Sequence, residues 1–572
     1  MSRKLLPKIP TASNISWKYI KYGLSVSGKR NTSLIELLSF VLIFGVFTGW
    51  AFWSIDPFNA LKLSVLTSIA FAMLFLIFGK PLTNKRDKPV QVIIIIFVFI
   101  ATLAFVFSNE NKVSQVFGIF GRNTGYLTYL SLCIVLIAFY TLSNSLYLTK
   151  FIKLIGISSI FVLAAGILQV IDIGPQALLS NGKLVFGFTG NTNFYSSLLG
   201  IIAILAAAPI FGKDKISFYK FFYIFVIFTC VYLIYETNSI QGYFVILAGV
   251  SSLIFLLLLR NRNKLYLFTY SLIILLSTVF ISMGFLKIGP LSSRLYNLSI
   301  TDRGYCWKSA IETWQLNPVF GVGFDGYQNW FRRTRSLDAI RDKGLNGTCD
   351  SAHNVFLDFL VNGGLILFLT YLALVVYTLI IVIRVTIRED LNINFLIISS
   401  GWVGYQIQSI ISINHLTLVT LGWSLMGLIL GYGSKKDLNS ITINDKTQIK
   451  MDNKSLTKSI IGFIIGLSIS IQPQLLLNRY QSAYSSGDAD VLHAAVKSWP
   501  NEMFMMNLAS SRFKENNLFD YELSTSIEVV KRYPDSYNAW RSIYNSSLSD
   551  LKLKNTARIN MLRLDPLNTD LK

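Results

Sequence analysis

Residues 90–108 read VQVIIIIFVFIATLAFVFS, nineteen positions without a charged side chain. As a helix this stretch covers about 29 Å, close to the hydrocarbon thickness of a bilayer. Similar apolar blocks recur at about 35–53, 59–79, 125–146, 151–172, 193–211, 218–237, 241–259, 265–286, 354–383, 393–411, 415–433 and 457–476, making thirteen in all. The 572-residue chain is 52% hydrophobic and 14% aromatic with only 14% charged residues, and its mean hydropathy is +0.51. Soluble proteins carry about 25% charged residues. Soluble, collagenous, disordered and disulfide-framework classes are therefore excluded. The expected fold is all-α: a polytopic integral membrane protein with about thirteen transmembrane helices.

The net charge is +22, from 52 Lys+Arg against 30 Asp+Glu. On a soluble protein such an excess points to nucleic acid. In a membrane protein it belongs first to cytoplasmic loops, so no nucleic-acid partner is expected. Residues 1–34 carry Arg3, Lys4, Lys8, Lys18, Lys21, Lys29 and Arg30 with no acid and lack the plan of a signal peptide. They read as a cytoplasmic tail. With the N-terminus inside, the cytoplasmic loops hold Lys80/Lys85/Arg86/Lys88, Lys150/Lys153, Lys213/Lys215, Arg260/Arg262/Lys264, Arg384/Arg388 and Lys435/Lys436/Lys446/Lys450. Most opposite connections are short and poor in cations: SIDPF (54–58), TNSIQG (237–242) and SINH (412–415). This register places the C-terminus outside.

One outer connection breaks the charge pattern. Residues 287–353 contain Arg294, Arg303, Lys308, Arg332, Arg333, Arg335, Arg341 and Lys343. An anionic ligand at the outer face is one explanation. A solvated mixed-charge loop is the other, since Asp302, Glu312, Asp325, Asp338, Asp342 and Asp350 lie among the cations. Residues 35–477 thus form a transmembrane domain with a large outer loop, and 478–572 turn to a soluble, helix-rich composition. In that tail Pro500, Pro534 and Pro566 are separated by 34 and 32 residues, the tetratricopeptide period. It reads either as a docking surface for a protein partner or substrate, or as a structural cap.

The outer loop runs TDRGYCWKSAIETWQLNPVFGVGFDGYQNWF and then GTCDSAHNVFLDFLVNGGLI. Asp302-Arg303 opens an amphipathic helix with Trp307, Ile311 and Trp314 on one face. Asn317-Pro318 ends it, and Gly321-Val322-Gly323 is a turn. Ser351 or Asp350 is expected to cap the helix that starts near His353, leaving His353 in its first turn at the membrane–water boundary.

Taken in order, RGYCWKSA (303–310), NPVFGVGF (317–324), SAHNVFLD (351–358) and NGGL (362–365) resemble the O-antigen ligase/polymerase superfamily. FGRNTGYL (120–127), GFTGNTNFYSSLLG (187–200), TNSIQGYF (237–244) and the tail ending LDPLN (564–568) are also similar to motifs of that family. The resemblance spans about 35–570, with the Arg-to-His segment its specific part. It implies a glycosyltransferase at the periplasmic face of a bacterial inner membrane. Such an enzyme moves a glycan from undecaprenyl diphosphate to a hydroxyl acceptor, without metal or other cofactor. In ligases the acceptor is a lipid A–core sugar; in polymerases it is another repeat unit, and a related branch glycosylates proteins.

The residues suit that chemistry. A diphosphate leaving group gains charge as the glycosidic bond breaks, and guanidinium forks stabilise it. Arg303 and Arg122 are the first candidates, followed by Arg332, Arg333 and Arg335. An acceptor hydroxyl needs a base, and His353 holds the matching position; a general base contributes about 10²–10⁴-fold. Where the family carries a cation before the GFTGNTNFY-type motif, this chain has Leu184, Val185 and Phe186. Lys183 is the nearest substitute, without the guanidinium fork. Asn191 and Asn193 either bond sugar or phosphate oxygens or cap a helix.

Other signals have plainer readings. Asp488-Ala489-Asp490 spells the D-x-D of metal-dependent transferases but sits at an expected helix start. His415 reads as interfacial packing and His493 as structural. Asp358 must face the interior, to orient an arginine or a helix end. Cys306 and Cys349 share the outer loop, in an oxidising compartment if it is periplasmic, and a disulfide between them would hold Arg303 near His353. Cys133 and Cys230 lie within apolar spans. A rival of another class is a lipid-linked saccharide transporter, although transporters often show internal repeats and no repeat relates the two halves.

Overall fold

The computed structural model describes residues 34–77, 88–174, 184–212, 218–285, 288–290, 292–295, 300–388, 390, 392–434 and 453–571. The basic N-terminal tail, Lys183 and much of the loop charge that oriented the chain lie outside them. The described residues are helical, with no strand among them. Each of the thirteen apolar stretches contains a helix: Leu34–Thr48, Ala60–Ile77, Lys88–Phe107, Tyr126–Leu142, Ser145–Val170, Thr192–Ala206, Phe218–Glu236, Gln241–Asn261, Lys264–Phe285, Val355–Arg388, Ile393–Ile411, Leu416–Ser434 and Asn453–Ser470. By length and composition eight can cross a membrane, or nine if the pair Asn453–Ser470 and Gln472–Ser486, bent by 45°, forms one crossing. Leu34–Thr48, Tyr126–Leu142 and Thr192–Ala206 are apolar but shorter. The expected count of thirteen exceeds the eight or nine that pass this test. The chain is a polytopic membrane protein.

Burial separates bundle centre from rim. Leu416–Ser434 is buried along almost its whole length, packed on Tyr126–Leu142. Among its described side chains Lys264–Phe285 buries none and exposes Leu265, Phe268, Ile273 and Leu275, as a helix facing hydrocarbon would. The tightest contact joins Asn453–Ser470 to Ala60–Ile77. There Gly462 and Gly466 form a GxxxG face, and a Cβ on Gly466 would sit 2.8 Å from the Ser68 Cα. In lipid such close backbone approach is a main source of helix association.

The long connection between Lys264–Phe285 and Val355–Arg388 carries further helices. Ile300–Leu316 is a helix, but the face carrying Ile311 is not its buried one, because Ile311 is 41% exposed. Cys306, Ser309, Ala310 and Thr313 are buried instead, since small side chains admit the 326–334 segment. Ser309 Oγ and Thr313 Oγ1 lie 2.7 and 3.0 Å from Thr334 Oγ1, and the Tyr327 hydroxyl donates to the Cys306 carbonyl at 2.7 Å. Beyond this helix, 317–324 packs backbone to backbone on 361–365. Val322 N donates to Val361 O and Gly323 N to Asn362 O, both at 2.9 Å, and Leu365 N donates to Pro318 O at 3.0 Å. Gly364, at φ +77°, breaks the Val355–Arg388 helix so that this strap can bond.

After Asn453–Ser470 the chain forms consecutive helix pairs: Gln472–Ser486 with Ala489–Lys497, Met503–Glu515 with Phe519–Arg532, and Tyr537–Asn545 with Leu551–Leu564. Pro500, Pro534 and Pro566 each follow the second helix of a pair. This tail rests on the loops at one end of the bundle, where Phe120 stacks on Phe504 with ring centroids 4.7 Å apart.

Candidate functional site

The loops at that end bring three of the sequence motifs together. Arg122, in the turn before Tyr126–Leu142, is 8% exposed and pairs with Asp325 at 3.4 Å and Asp350 at 3.8 Å. Its Nη1 also donates to the Asp350 carbonyl at 2.7 Å. Burial alone would depress the Arg122 guanidinium, but Asp325 and Asp350 outweigh that cost and raise it. Asp325, with φ +53°, accepts from Ile119 N and Thr124 Oγ1, each at 3.2 Å. It therefore holds the Arg122 turn as well as its charge.

His353 lies just outside the Val355–Arg388 helix. Neither Ser351 nor Asp350 caps that helix; Asn354 does, its Oδ1 accepting from Phe356 N at 3.0 Å and Leu357 N at 3.1 Å. His353 therefore precedes the first turn, at φ +53°, a left-handed backbone conformation held by its surroundings. Ser351 Oγ accepts from His353 N at 3.0 Å and donates to the Asp358 carboxylate at 2.9 Å. Ala352 N donates to Asp358 as well, at 2.9 Å. Asp358 thus orients the turn that presents His353.

The imidazole is 33% exposed, with Nε2 3.7 Å from Asp350 Oδ1. Burial pushes it down to about 4; Asp350 opposes that shift, while Arg303, Arg122 and Lys343 add to it. At neutral pH the ring is therefore uncharged, with a lone pair for a hydroxyl proton, and the same burial weakens it as a base. Cys306 and Cys349 are joined by a disulfide with their Cα atoms 5.9 Å apart. The bond links the helix carrying Arg303 to the segment leading into His353. Arg303 Nη1 donates to the Ile411 carbonyl, and burial lowers its guanidinium from the ordinary value. No carboxylate among the described residues pairs with it.

The remaining predicted residues lie elsewhere. Arg332 and Arg335 bond Asp565 of the tail, at 3.4 and 2.6 Å, and Arg333 bonds Asp535 at 2.6 Å. Asn191 caps Thr192–Ala206 through Asn193 N at 2.8 Å, and Asn193 Oδ1 accepts from Ser239 Oγ at 2.7 Å. Asp488 caps Ala489–Lys497. Among the described residues no group of three or more His, Cys, Asp or Glu side chains is placed to hold a metal. Sequence reasoning does not single out Asp325 or Lys62. Lys62 has a legible signal, a lone cation at the head of an apolar span; Asp325 has none beyond being one acid among several.

Residues 224–372 match a family model described as O-antigen ligase. The matched segment contains Arg303, Asp325, Asp350 and His353, while Arg122 and the tail lie outside it. No curated protein matches the chain.

Proposed function

We propose that this chain, which its O-antigen ligase segment places in the O-antigen ligase/polymerase superfamily, transfers a glycan from undecaprenyl diphosphate to a hydroxyl of lipid A–core. The reaction belongs at the periplasmic face of a bacterial inner membrane. The observation that carries this reading is His353 held 3.7 Å from Asp350, on a turn that Arg122 bonds and that the Cys306–Cys349 bond ties to the Arg303 helix. As the sugar–phosphate bond breaks, Arg303 stabilises the charge gathering on the diphosphate, because no acid among the described residues competes for its fork. His353 takes the acceptor proton as the new glycosidic bond forms. Arg122, held by two carboxylates, positions Asp350 and the His353 turn.

The test uses the full chain in nanodiscs with an undecaprenyl-diphosphate glycan, with and without lipid A–core. Undecaprenyl diphosphate release and product mass are followed for the intact protein and for His353→Ala. Product on lipid A–core, reduced about 10²–10⁴-fold in the variant, is expected for a general base. Longer glycans formed without that acceptor would assign a polymerase instead. Glycan on a protein acceptor would assign a protein O-oligosaccharyltransferase. Translocation of the lipid-linked saccharide with full activity in His353→Ala would replace transfer by transport.

A further inference from the structure

Lys62 is fully buried in the first turn of Ala60–Ile77, at the same end of the bundle as His353. Its Nζ donates to one acceptor, the Phe188 carbonyl. No carboxylate among the described residues pairs with it. Asp56 Oδ1 accepts from the amide hydrogens of Phe58 and Asn59 while its buried Oδ2 accepts from none, so Asp56 offsets the Lys62 charge through space without bonding its ammonium. An ammonium inside a membrane helix with most of its donor capacity unused is costly unless something else supplies an acceptor.

Two further buried donors lie beside it. His415 stacks on Phe194 at 4.9 Å, and its Nδ1 accepts from Thr417 N at 3.3 Å. That bond assigns the proton of the neutral ring to Nε2, which is buried without a hydrogen-bond partner and has Lys62 and the Thr189 backbone nearby. Trp50 Nε1 is likewise buried without an acceptor, and its ring lies 6.2 Å from Phe188. The preceding residue touches the lysine itself, since a Cβ on Gly49 would meet Lys62 Cγ at 3.2 Å. Three buried N–H donors thus surround the Phe188–Thr189 turn, where the Phe188 carbonyl serves Lys62 and the Thr189 backbone lies at His415. Their complement is a group that only accepts hydrogen bonds and carries negative charge.

The short loop 412–414 separates this cluster from Arg303, which bonds the Ile411 carbonyl at the loop's other end. We propose that Lys62, His415 and Trp50 form a second anion subsite, taking one phosphate of a lipid-linked diphosphate while Arg303 holds the other. The inference rests on the donor reading given above. It supplies a cation beside the GFTGNTNFY segment from a different helix.

Binding of undecaprenyl diphosphate is measured on the full chain in phosphatidylcholine nanodiscs, with undecaprenol as the phosphate-free control. Lys62→Gln, which keeps a donor for the Phe188 carbonyl but loses the charge, is expected to weaken binding at least tenfold. Lys62→Arg should stay within about threefold of the intact protein, since a buried charge-assisted bond carries most of the effect. In the unmodified protein the ligand should slow amide exchange in 186–190 and 412–415, a readout that needs no variant. Equal binding in Lys62→Gln, with Arg303→Gln weakened and no exchange change, would overturn the subsite and leave the donor reading standing. No binding of undecaprenyl diphosphate by the unmodified protein would overturn both. Loss of the Lys62-dependent binding in phosphatidylglycerol nanodiscs would assign the subsite to lipid headgroups and overturn its assignment to the donor.

Discussion

Arg335 Nη2 lies 2.6 Å from Asp565 Oδ2, with the two side chains 1% and 0% exposed. The same guanidinium donates to the carbonyls of Leu345 and Gly347 at 2.9 and 3.2 Å, in the segment that runs on to Cys349, Asp350 and His353. Arg332 repeats the pattern, reaching Leu345 O at 2.8 Å and Asp565 at 3.4 Å. The tail is therefore wired to the backbone that presents the imidazole. Asp565→Ala would leave a buried guanidinium without its counter-charge, a change that costs about 3–5 kcal/mol. Faster proteolysis of 478–572 and a lower unfolding temperature are expected. Replacing the pair together, as Asp565→Leu with Arg335→Met, should cost less than the single change, because the more deeply buried guanidinium then no longer lacks its counter-charge, while Arg332 loses its acid in both variants. An Asp565→Ala protein as stable as the original would show that the pair does not dock the tail.

How much of this is legible in the sequence depends on the range of the interaction. Apolar periodicity is local, and every stretch it marks is helical. The proline spacing in the tail is equally local and falls after each helix pair. The pairing of Arg332, Arg333 and Arg335 is not legible, because their acids stand some two hundred residues downstream at Asp535 and Asp565. Charge alone marks those arginines as diphosphate ligands. The buried face of Ile300–Leu316 is not legible in the sequence for a related reason. Trp307, Ile311 and Trp314 form an apolar stripe, yet the surface opposite is built for Ser309 and Thr313 to reach Thr334. The cap of Val355–Arg388 falls to Asn354 because Ser351 is engaged by Asp358, a contact that needs the folded turn.

The Cys306–Cys349 bond bears on the relation of Arg303 to His353. Cys306 is one turn along the helix from Arg303, and Cys349 precedes Asp350. Non-reducing peptide mapping should recover the two as one cross-linked peptide, with Cys133 and Cys230 as free buried thiols. Cys306→Ser with Cys349→Ser should destabilise the outer loop by about 2–4 kcal/mol. Transfer should slow more than donor binding weakens, because alignment of base and diphosphate is what the bond protects. Two free thiols at 306 and 349 in the native protein would remove the basis for this expectation.

Gly364 tests the strap between 317–324 and 361–365. A Cβ there would stand 2.0 Å from the Val319 carbonyl oxygen and 2.4 Å from its carbon, at φ +77°. Neither atom can move without breaking the Leu365–Pro318 bond at 3.0 Å. Gly364→Ala should therefore cost about 3 kcal/mol or more, from strain and overlap together. The measurable consequence is a lower thermal midpoint and poor recovery of inserted protein. Gly174→Ala, whose new Cβ would meet no atom within 4 Å, serves as the contrasting control at a left-handed glycine. If the two variants behaved alike, backbone strain and not the strap would explain the loss.

The titration of His353 follows from its neighbours with a sign that can be checked. Burial lowers its pKa from the ordinary 6.5 to about 4, so the ring is neutral throughout the range from pH 6 to 8. Between pH 6.5 and 4 the unfolded chain binds a proton that the folded site refuses. Stability from this group is thus complete above pH 6.5 and declines as pH falls toward 4. With only three histidines in the chain, imidazole NMR shifts can be assigned by comparison with His353→Gln. The two charged neighbours should move the midpoint in opposite directions. Arg303→Gln removes a cation that disfavours protonation and should raise it; Asp350→Asn removes the anion that favours protonation and should lower it. For the free enzyme the acid limb of kcat/KM should track the same midpoint, falling only below about pH 5. A limb or an NMR midpoint near 6.5 would mean that water reaches the ring freely and that the enclosure ascribed to the His353 turn is absent.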